Sequence, residues 1–432
     1  MIGIWKFAAL GAAMIVLWQG APASADASLD WRQFRLDAQH TGFNRSETVL
    51  SQKNVRELGV AWEDQVGALV DYSSPVVANG RVFIGSTDGT LWAFKDRGCG
   101  QSLCTNPLWS STSLGQIRDT PTVANGLVYV GSQTSFDDAS GKLDVFAAKG
   151  CAHSQCAPLW QGVAGTQSIL ESSPTVANGI VFVGAFDGKL YAFPATGCGE
   201  ALCQPLWTAT TGGSIESTPT VNHGVVYVGS DDGKLYAISA SGCGASSCAP
   251  LWTGDLGSAI FQSTPAIAKG LVYIAGQHTL AAFAIAGCGA STCKPVWQAS
   301  DDGEFYNASP AIANGRLYIP WSTGLAVYDA KGCGRTNCEK LWILFGDGAQ
   351  AAIISSPTVA NGVVYAGRNT GEVLAWGAGP CGSDVCENLW SGMTGDPIVS
   401  SSPTVANGRL YIGSADDGGT PPQGRLYVFA LP

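Results

Sequence analysis

Eight Ser-Pro or Thr-Pro dipeptides recur along the chain, and the residue three positions before each proline varies while its surroundings repeat. Carboxylate and amide oxygens are ligands that Ca²⁺ prefers in proteins. We therefore predict a metal site from Glu171, Glu216 and Asn307. From the same set, Tyr72, Arg118 and Gln262 are predicted to bind a ligand or cofactor. The alternative is a solvated polar rim without a ligand. The eight positions are Tyr72, Arg118, Glu171, Glu216, Gln262, Asn307, Ile354 and Ser400.

A second irregular region lies in the fifth and sixth repeats. Here an Asp-Gly turn is replaced by Gln277-His278-Thr279 and by Pro320-Trp321-Ser322, and the acidic stretch 301–306 ends in Phe305 and Tyr306. Aromatic rings beside carboxylates can bind a sugar-like or cationic ligand. Trp321 is therefore added to the predicted binding residues. Ordinary loop variation is the alternative. No catalytic residue is assigned, although Asp119 beside Arg118 is the first candidate.

These residues are positioned by a repeat with a period in the forties, which is typical of a propeller or solenoid. In the third copy, Ser173–Ala177, Ile180–Gly184 and Lys189–Phe193 read as strands A, B and C, and strand D lies around Leu206-Trp207. Asn178-Gly179 favours a two-residue hairpin between A and B. Proline cannot donate to a strand ladder and belongs on an edge, so strand A is predicted to be innermost. The residues before strand A then surround one mouth of the channel, which we call the top.

Counting the repeats predicts how the ring closes. Eight A-B-C units are matched by eight repeat tryptophans, but the chain begins with a lone D strand at Trp62 and ends with a lone A-B-C unit at 402–431. If the Trp62 strand completes the last blade, no open edge remains there. We predict an all-β, single eight-bladed β-propeller of four-stranded antiparallel blades. Residues 26–57 form a lead-in with a short helix over 52–58, and 58–432 form the propeller.

The repeat resembles a known family. The resemblance rests on the sequence SSPTVANG at 172–179, on Leu190-Tyr191-Ala192-Phe193 and Leu206-Trp207, and on the lead-in residues Trp31-x-Gln33-Phe34. It is similar to the pyrroloquinoline-quinone (PQQ)-like propeller repeat, which occurs in quinoprotein alcohol dehydrogenases and in the propeller lipoprotein of the outer-membrane β-barrel assembly machinery. In the dehydrogenases, carboxylates and amides hold calcium beside the quinone, and Glu171 and Asn307 resemble such ligands.

All fourteen cysteines fall into Cys-x4-Cys pairs at one place in the repeat. An even set in an exported chain indicates disulfides, whereas zinc would need two pairs to converge. We predict seven local disulfides, which link Cys99 to Cys104, Cys151 to Cys156, Cys198 to Cys203, Cys243 to Cys248, Cys288 to Cys293, Cys333 to Cys338 and Cys381 to Cys386.

Composition limits the partners. Residues 1–25 have the layout of a secretory signal peptide, with Ala23-Ser24-Ala25 at the cleavage site. We expect a periplasmic or extracellular protein with no transmembrane anchor after cleavage. The net charge of −10 argues against nucleic acid.

The favoured function is a non-catalytic binding or scaffold role through the top face and channel mouth. A protein partner or a small-molecule or sugar ligand would bind there, and we expect a monomer without a cofactor. The alternative is a PQQ- and calcium-dependent alcohol or sugar dehydrogenase. The chain has no two adjacent cysteines and no Cys-x-x-Cys-His, so it lacks the vicinal disulfide of those dehydrogenases and a c-type haem site.

Overall fold

Eight antiparallel sheets are arranged as the blades of a propeller. The computed structural model describes residues 30–133, 141–165, 167–169, 171–300, 308–346, 351–416, 418 and 422–432. The predicted signal peptide lies outside them. The inner strands A are Val76–Ala78, Thr122–Ala124, Thr175–Ala177, Thr220–Asn222, Ala266–Ala268, Ala311–Ala313, Thr358–Ala360 and Thr404–Ala406. Strands B are Arg81–Gly85, Leu127–Ser132, Ile180–Gly184, Val225–Gly229, Leu271–Ala275, Arg316–Trp321, Val363–Gly367 and Arg409–Asp416.

The outer half of each blade is formed by strands C and D. Strands C are Leu91–Lys95, Lys142–Ala147, Lys189–Pro194, Lys234–Ser239, Thr279–Ala284, Gly324–Asp329, Glu372–Gly377 and Gln423–Ala430. Strands D are Trp109–Ser111, Trp160–Val163, Trp207–Thr210, Trp252–Asp255, Trp297–Ser300, Trp342–Phe345, Trp390–Met393 and, for blade 8, Gly59–Gln65. Trp62 pairs with Val428 of the last strand C. The predicted closure of the ring by an N-terminal outer strand is therefore confirmed.

Local turn chemistry explains the short hairpins. Asn178 and Gly179 have φ angles of 52° and 78°, and Ala177 pairs with Ile180 across them. Both turn positions lie in the left-handed region, which asparagine and glycine tolerate and a type I′ turn requires.

The D-strand tryptophans form the outer part of the core between neighbouring blades. The ring centroid of Trp207, for example, lies 6.0 Å from that of Phe182, and Trp207 is buried. Gly242 of the next blade's Cys loop lies against the same indole, and an added Cβ would stand 2.6 Å from it. A side chain at this loop position would therefore push the loop off the tryptophan.

All seven predicted disulfides are present, and each bridges residues five apart. Beyond the prediction, each Cys loop pairs in parallel with the outer strand of the preceding blade and forms a short fifth strand or bridge. The fifth strands are Leu103–Cys104, Gln155–Cys156, Leu202–Cys203, Thr292–Cys293 and Val385–Glu387, and Ser247 and Asn337 make single bridges.

The lead-in follows the free edge of the inner strands around the channel. Its carbonyl groups accept hydrogen bonds from the N–H of the middle residue of successive strands A. These bonds join Val77 to Trp31, Val123 to Arg32, Val221 to Ala38, Ile267 to Gln39, Ile312 to Thr41 and Val359 to Gly42. In blade 3 the Val176 N–H donates instead to the side-chain oxygen of Gln33. In blade 8 the side-chain amide of Asn44 donates to the carbonyl of Val405. One extended segment thus contacts all eight inner strands in order.

The helix predicted over 52–58 is shorter in the structure, which has one 3-10 turn at Val55–Glu57. Phe43–Asn44 instead forms a two-residue strand parallel to Thr358–Ala360. Local helical bonds are marginal in so short a segment, so only a single turn forms.

Candidate functional site at the channel mouth

The repeated Ser-Pro and Thr-Pro dipeptides build a closed ring of hydroxyl groups around the channel. The backbone N–H of each Ser or Thr donates to the hydroxyl oxygen of the equivalent residue in the next blade. The bonds run in order through Ser74, Thr120, Ser173, Thr218, Thr264, Ser309, Ser356 and Ser402, and return to Ser74. The distances are 2.9–3.3 Å, and the ring satisfies buried edge groups that strand pairing leaves free.

Above this ring, the predicted rim residues converge on a small cavity of about 30 Å³. Its lining includes Tyr72, Glu171, Gln262, Ile354 and Ser400 from the predicted set, with hydroxyl-ring residues and Phe34 of the lead-in below. Residues from repeats far apart in sequence therefore share one space, as the strand order predicted.

Arg118 and Glu171 organise one side of the mouth. The Arg118 guanidinium lies 2.5 Å from Oδ2 of Asp71 and 3.7 Å from Oε1 of Glu171. It also stacks over the Tyr72 ring, 4.8 Å from the centroid. Gln262 donates to Oε2 of Glu171 at 2.7 Å. The side chain of Glu171 is only 8% exposed, so these partners hold its carboxylate in a fixed position.

The mouth holds more negative than positive groups. Burial, followed by the charges of Glu171 and Asp231, raises the pKa of Glu216 to about 8. Burial also raises the pKa of Asp231 to about 6, and it raises the pKa of Asp71 although Arg118 opposes the shift. Ionising all of these closely placed carboxyl groups costs free energy, because their like charges repel one another. A cation at the mouth would relieve their repulsion.

The backbone is strained at three of the rim positions. Tyr72, Glu171 and Ser400 have φ angles of 64°, 68° and 57°. Residues other than glycine rarely occupy this left-handed region, and such strain is concentrated at functional sites. The left-handed backbone at these residues supports a ligand-binding role for the mouth.

The lead-in closes the channel beneath the mouth. His40 is fully buried, and its Nε2 lies 3.0 Å from both the Thr175 hydroxyl and the Pro219 carbonyl. Burial lowers the pKa of His40 to about 4. A larger open bowl of about 670 Å³ lies on the opposite face, between the lead-in and the A–B turns of blades 4 and 5. The top mouth is thus a shallow site with a closed floor.

The other predicted residues have different surroundings. Glu216 interacts with Glu171 at the mouth but does not line the cavity. Trp321 packs against the core between blades 5 and 6, and Nζ of Lys340 lies 4.2 Å from its ring centroid. Asn307 and the acidic stretch 301–306 lie outside the described residues, so the predicted roles of Asn307 and Trp321 stay predictions. Among the described residues, no group of three or more Asp, Glu, His or Cys is placed to hold a metal ion.

The structure gives Asp119 a structural environment. Its Oδ2 accepts a 2.6 Å bond from the Gly131 N–H. In other blades a serine hydroxyl accepts the corresponding bond; the Ser172 hydroxyl, for example, accepts it from the Gly184 N–H. Asp119 is 1% exposed and its Oδ1 has no partner. The residue does not line the mouth, so it is a poor candidate for catalysis.

We expect Asp119→Ser to stabilise the protein at neutral pH. Burial raises the pKa of Asp119 well above its ordinary value, so the folded state keeps a proton that the unfolded chain releases above about pH 4. Asp119 therefore costs stability increasingly as the pH rises. Denaturation of Asp119→Ser should show a gain in stability at neutral pH and a smaller change near pH 4. The exposed control Asp384→Ser should change neither value, and equal effects of Asp119→Ser at both pH values would contradict this account.

Sequence reasoning missed Asp71, Asp231 and Phe34. Asp71 directly precedes a predicted rim residue, so extending the rim by one position would have found it. Asp231 lies in a B–C turn, where Asp is ordinary hairpin chemistry, and no sequence signal distinguishes it. The sequence identifies Phe34 only as part of the lead-in signature, and its place at the mouth depends on the path of that segment inside the channel.

The sequence profile of the family described as outer membrane protein assembly factor BamB matches residues 59–243. Similar solved structures include quinohemoprotein alcohol dehydrogenase from Comamonas testosteroni, with a TM-score of 0.69, 13% identity and coverage of 93% of this chain and 80% of that one. The resemblance to the PQQ-like repeat is confirmed. BamB from Moraxella catarrhalis has a TM-score of 0.62, 16% identity and coverage of 86% and 99%. A europium-containing methanol dehydrogenase has a TM-score of 0.67, 12% identity and coverage of 93% and 98%.

No curated protein matched the sequence. At these identities the structural neighbours show that the chain shares the PQQ-like propeller fold and nothing about its activity.

The described mouth does not fit the quinone that the dehydrogenase relatives imply. Pockets for ligands of that size occupy about 300–1,000 Å³, whereas this cavity is about 30 Å³. Pyrroloquinoline quinone is tricyclic and carries carboxylates. At the described mouth such an anion would meet Asp71, Glu171 and Glu216, while Arg118 is already paired with two of these acids. Both the small volume of the cavity and the negative charge of the mouth therefore disfavour binding of the quinone.

Proposed function

We propose that this protein is an exported, non-catalytic binding propeller that engages a partner polypeptide through its top face. The channel mouth receives a cationic group of that partner, and a lysine ammonium matches both size and charge. The observation that carries this proposal is the acidic mouth: Glu171 lines the closed-floor cavity of about 30 Å³, and Glu216 and Asp231 lie close enough to interact with its charge.

The partner-binding role and export have separate support. The matching family is described as an outer membrane protein assembly factor, and assembly factors act on other proteins. Seven disulfides with no free cysteine are typical of an oxidising compartment. In the part of the chain that the structure describes, no helix is long and apolar enough to cross a membrane.

The proposal predicts pH-dependent binding of the probe trilysine, measured by calorimetry. A cation pairs with ionised Glu216, whose pKa is about 8, so binding releases a proton below that pH. Affinity should therefore rise with pH by up to about tenfold per unit until about pH 8 and then level off. Glu171→Gln/Glu216→Gln should abolish binding. The matched control Glu200→Gln/Glu339→Gln removes two exposed carboxylates and should bind normally.

Calcium and quinone are tested on the same proteins as alternative ligands. A calcium-dependent rise in melting temperature that disappears in Glu171→Gln/Glu216→Gln would identify the mouth as a metal site instead. A bound chromophore and dye-linked alcohol oxidation after addition of quinone and calcium would overturn the non-catalytic role. If Glu171→Gln/Glu216→Gln binds trilysine as well as the parent protein does, the cation binds outside the channel mouth and the proposal is wrong.

A further inference from the structure

The outer edges of the blades are covered in a regular way. In seven blades the N–H of the residue that follows the D-strand tryptophan donates to a carbonyl of the next blade's Cys loop. The donors and acceptors are Glu63 and Ser102, Ser110 and Ser154, Gln161 and Ala201, Thr208 and Ser246, Thr253 and Ser291, Gln298 and Thr336, and Ile343 and Asp384, at distances of 2.7–2.9 Å. Each of these edges is thus closed by a short parallel segment.

Blade 7 is the exception. Its cover would come from the loop between strands C and D of blade 8, but those strands, Gln423–Ala430 and Gly59–Gln65, are not consecutive in the chain. Within the described residues, no carbonyl accepts the N–H of Ser391, the equivalent donor. Closing the ring with an N-terminal strand therefore leaves the outer edge of the preceding blade without its loop.

Exposure confirms that this edge lacks a cover. The second residue after the D-strand tryptophan is buried in the other blades, for example Ala209 and Ala299 at 1% exposure, whereas the equivalent Gly392 is half-exposed. Ser391 is exposed, and Met393 is 58% exposed. The strand itself is well anchored, because Trp390 is buried and its Nε1 donates to the Leu58 carbonyl. Trp390–Met393 is therefore an ordered strand with a free edge.

We propose that Trp390–Met393 binds an extended segment of a partner polypeptide as a parallel fifth strand. Exposed sheet edges recruit peptides through main-chain hydrogen bonds. The Ser391 N–H would donate to a carbonyl of the incoming segment, as the other seven donors do to the Cys loops. This surface is separate from the channel mouth, and the inference does not depend on the cation proposal.

The internal Cys loops define the chemistry of the occupant. The residue that provides the acceptor carbonyl is small or polar, and the residue two positions later is a cysteine whose side chain is buried beside the outer strand. The residue between them is exposed. The expected partner segment is therefore extended where it touches the edge, with a small or polar residue, any residue, and then a small apolar residue.

A second copy of this chain is a poorer occupant. Each of its Cys loops already pairs with an outer strand of its own ring. If one of these Cys loops paired with blade 7 of another molecule, the outer strand that it covers in its own ring would become free. The exchange would therefore create no additional strand pairing.

The test uses a loop of the protein itself as the probe. A fluorescent, disulfide-closed peptide of residues 196–206 contains the Cys198–Cys203 loop, which covers blade 2. The full chain should bind it, as measured by anisotropy, and binding should slow amide hydrogen exchange at 391–393. Ser391→Pro removes the donor N–H, and Met393→Lys places a charge at the edge. Each should weaken binding by about fivefold or more.

The matched control is Thr210→Lys, at the position equivalent to Met393 on the covered edge of blade 3, and it should bind normally. Unchanged melting temperatures separate lost binding from unfolding. Binding that survives both edge variants, or no protection at 391–393, would overturn the proposal. A dimer in sedimentation velocity that Ser391→Pro dissociates would also overturn it, because a second copy would then be the occupant.

Discussion

Deletion of residues 26–47 should unfold the protein or remove most of its stability, although every blade strand is retained. The deleted segment accepts the free N–H groups of seven inner strands and donates to the eighth. A net contribution of about 0.5–1.5 kcal/mol per bond gives about 4–12 kcal/mol, against a total stability of about 5–15 kcal/mol. Denaturant unfolding of the two chains measures the loss.

Two further deletions separate the lead-in from ring closure. Removal of 26–29 alone retains every described contact of the lead-in, from Asp30 and Trp31 onward, and should be neutral. Deletion through Asp64 also removes the outer strand of blade 8, including Trp62, and should be worse still. If the chain without 26–47 unfolds at the same denaturant concentration as the intact protein, the lead-in fills the channel without contributing to stability.

Reduction of the seven disulfides should also have a large effect. Closing each six-residue ring restricts the unfolded chain by about 2 kcal/mol, or about 14 kcal/mol for seven, which is comparable to the whole stability. Reduction also loosens the loops that cover the outer strands. Unfolding with and without reductant should therefore differ by far more than any surface substitution changes it, and hydrogen exchange should accelerate first at the outer edges.

Blade 7 provides an internal control for reduction, because no Cys loop covers Trp390–Met393. Exchange at 391–393 should change little on reduction, while exchange at Thr208 and Gln298 should rise. The single pair variant Cys198→Ser/Cys203→Ser should cost about 2 kcal/mol. A reduced protein as stable as the oxidised one would mean that packing of the loop glycines on the tryptophans suffices.

The sequence by itself determined the repeat and its geometry, because those depend on contacts close along the chain. Asn178-Gly179 favours a tight hairpin turn, Pro174 favours an edge strand, and a cysteine pair five residues apart can close locally. Counting complete repeats placed Trp62 in the last blade. Strand order then predicted that Tyr72, Glu171 and Gln262 share one mouth.

Only the tertiary structure decided which distant groups meet. The lead-in path joins Gln33 to Val176 and Asn44 to Val405, and no local pattern encodes such pairs. The same holds for Asp231 at the mouth and for the loops that cover the outer edges. The uncovered edge at Ser391 arises because the chain's two ends share blade 8. Local chemistry specifies each blade, whereas the satisfaction of its free edges depends on how the whole ring closes.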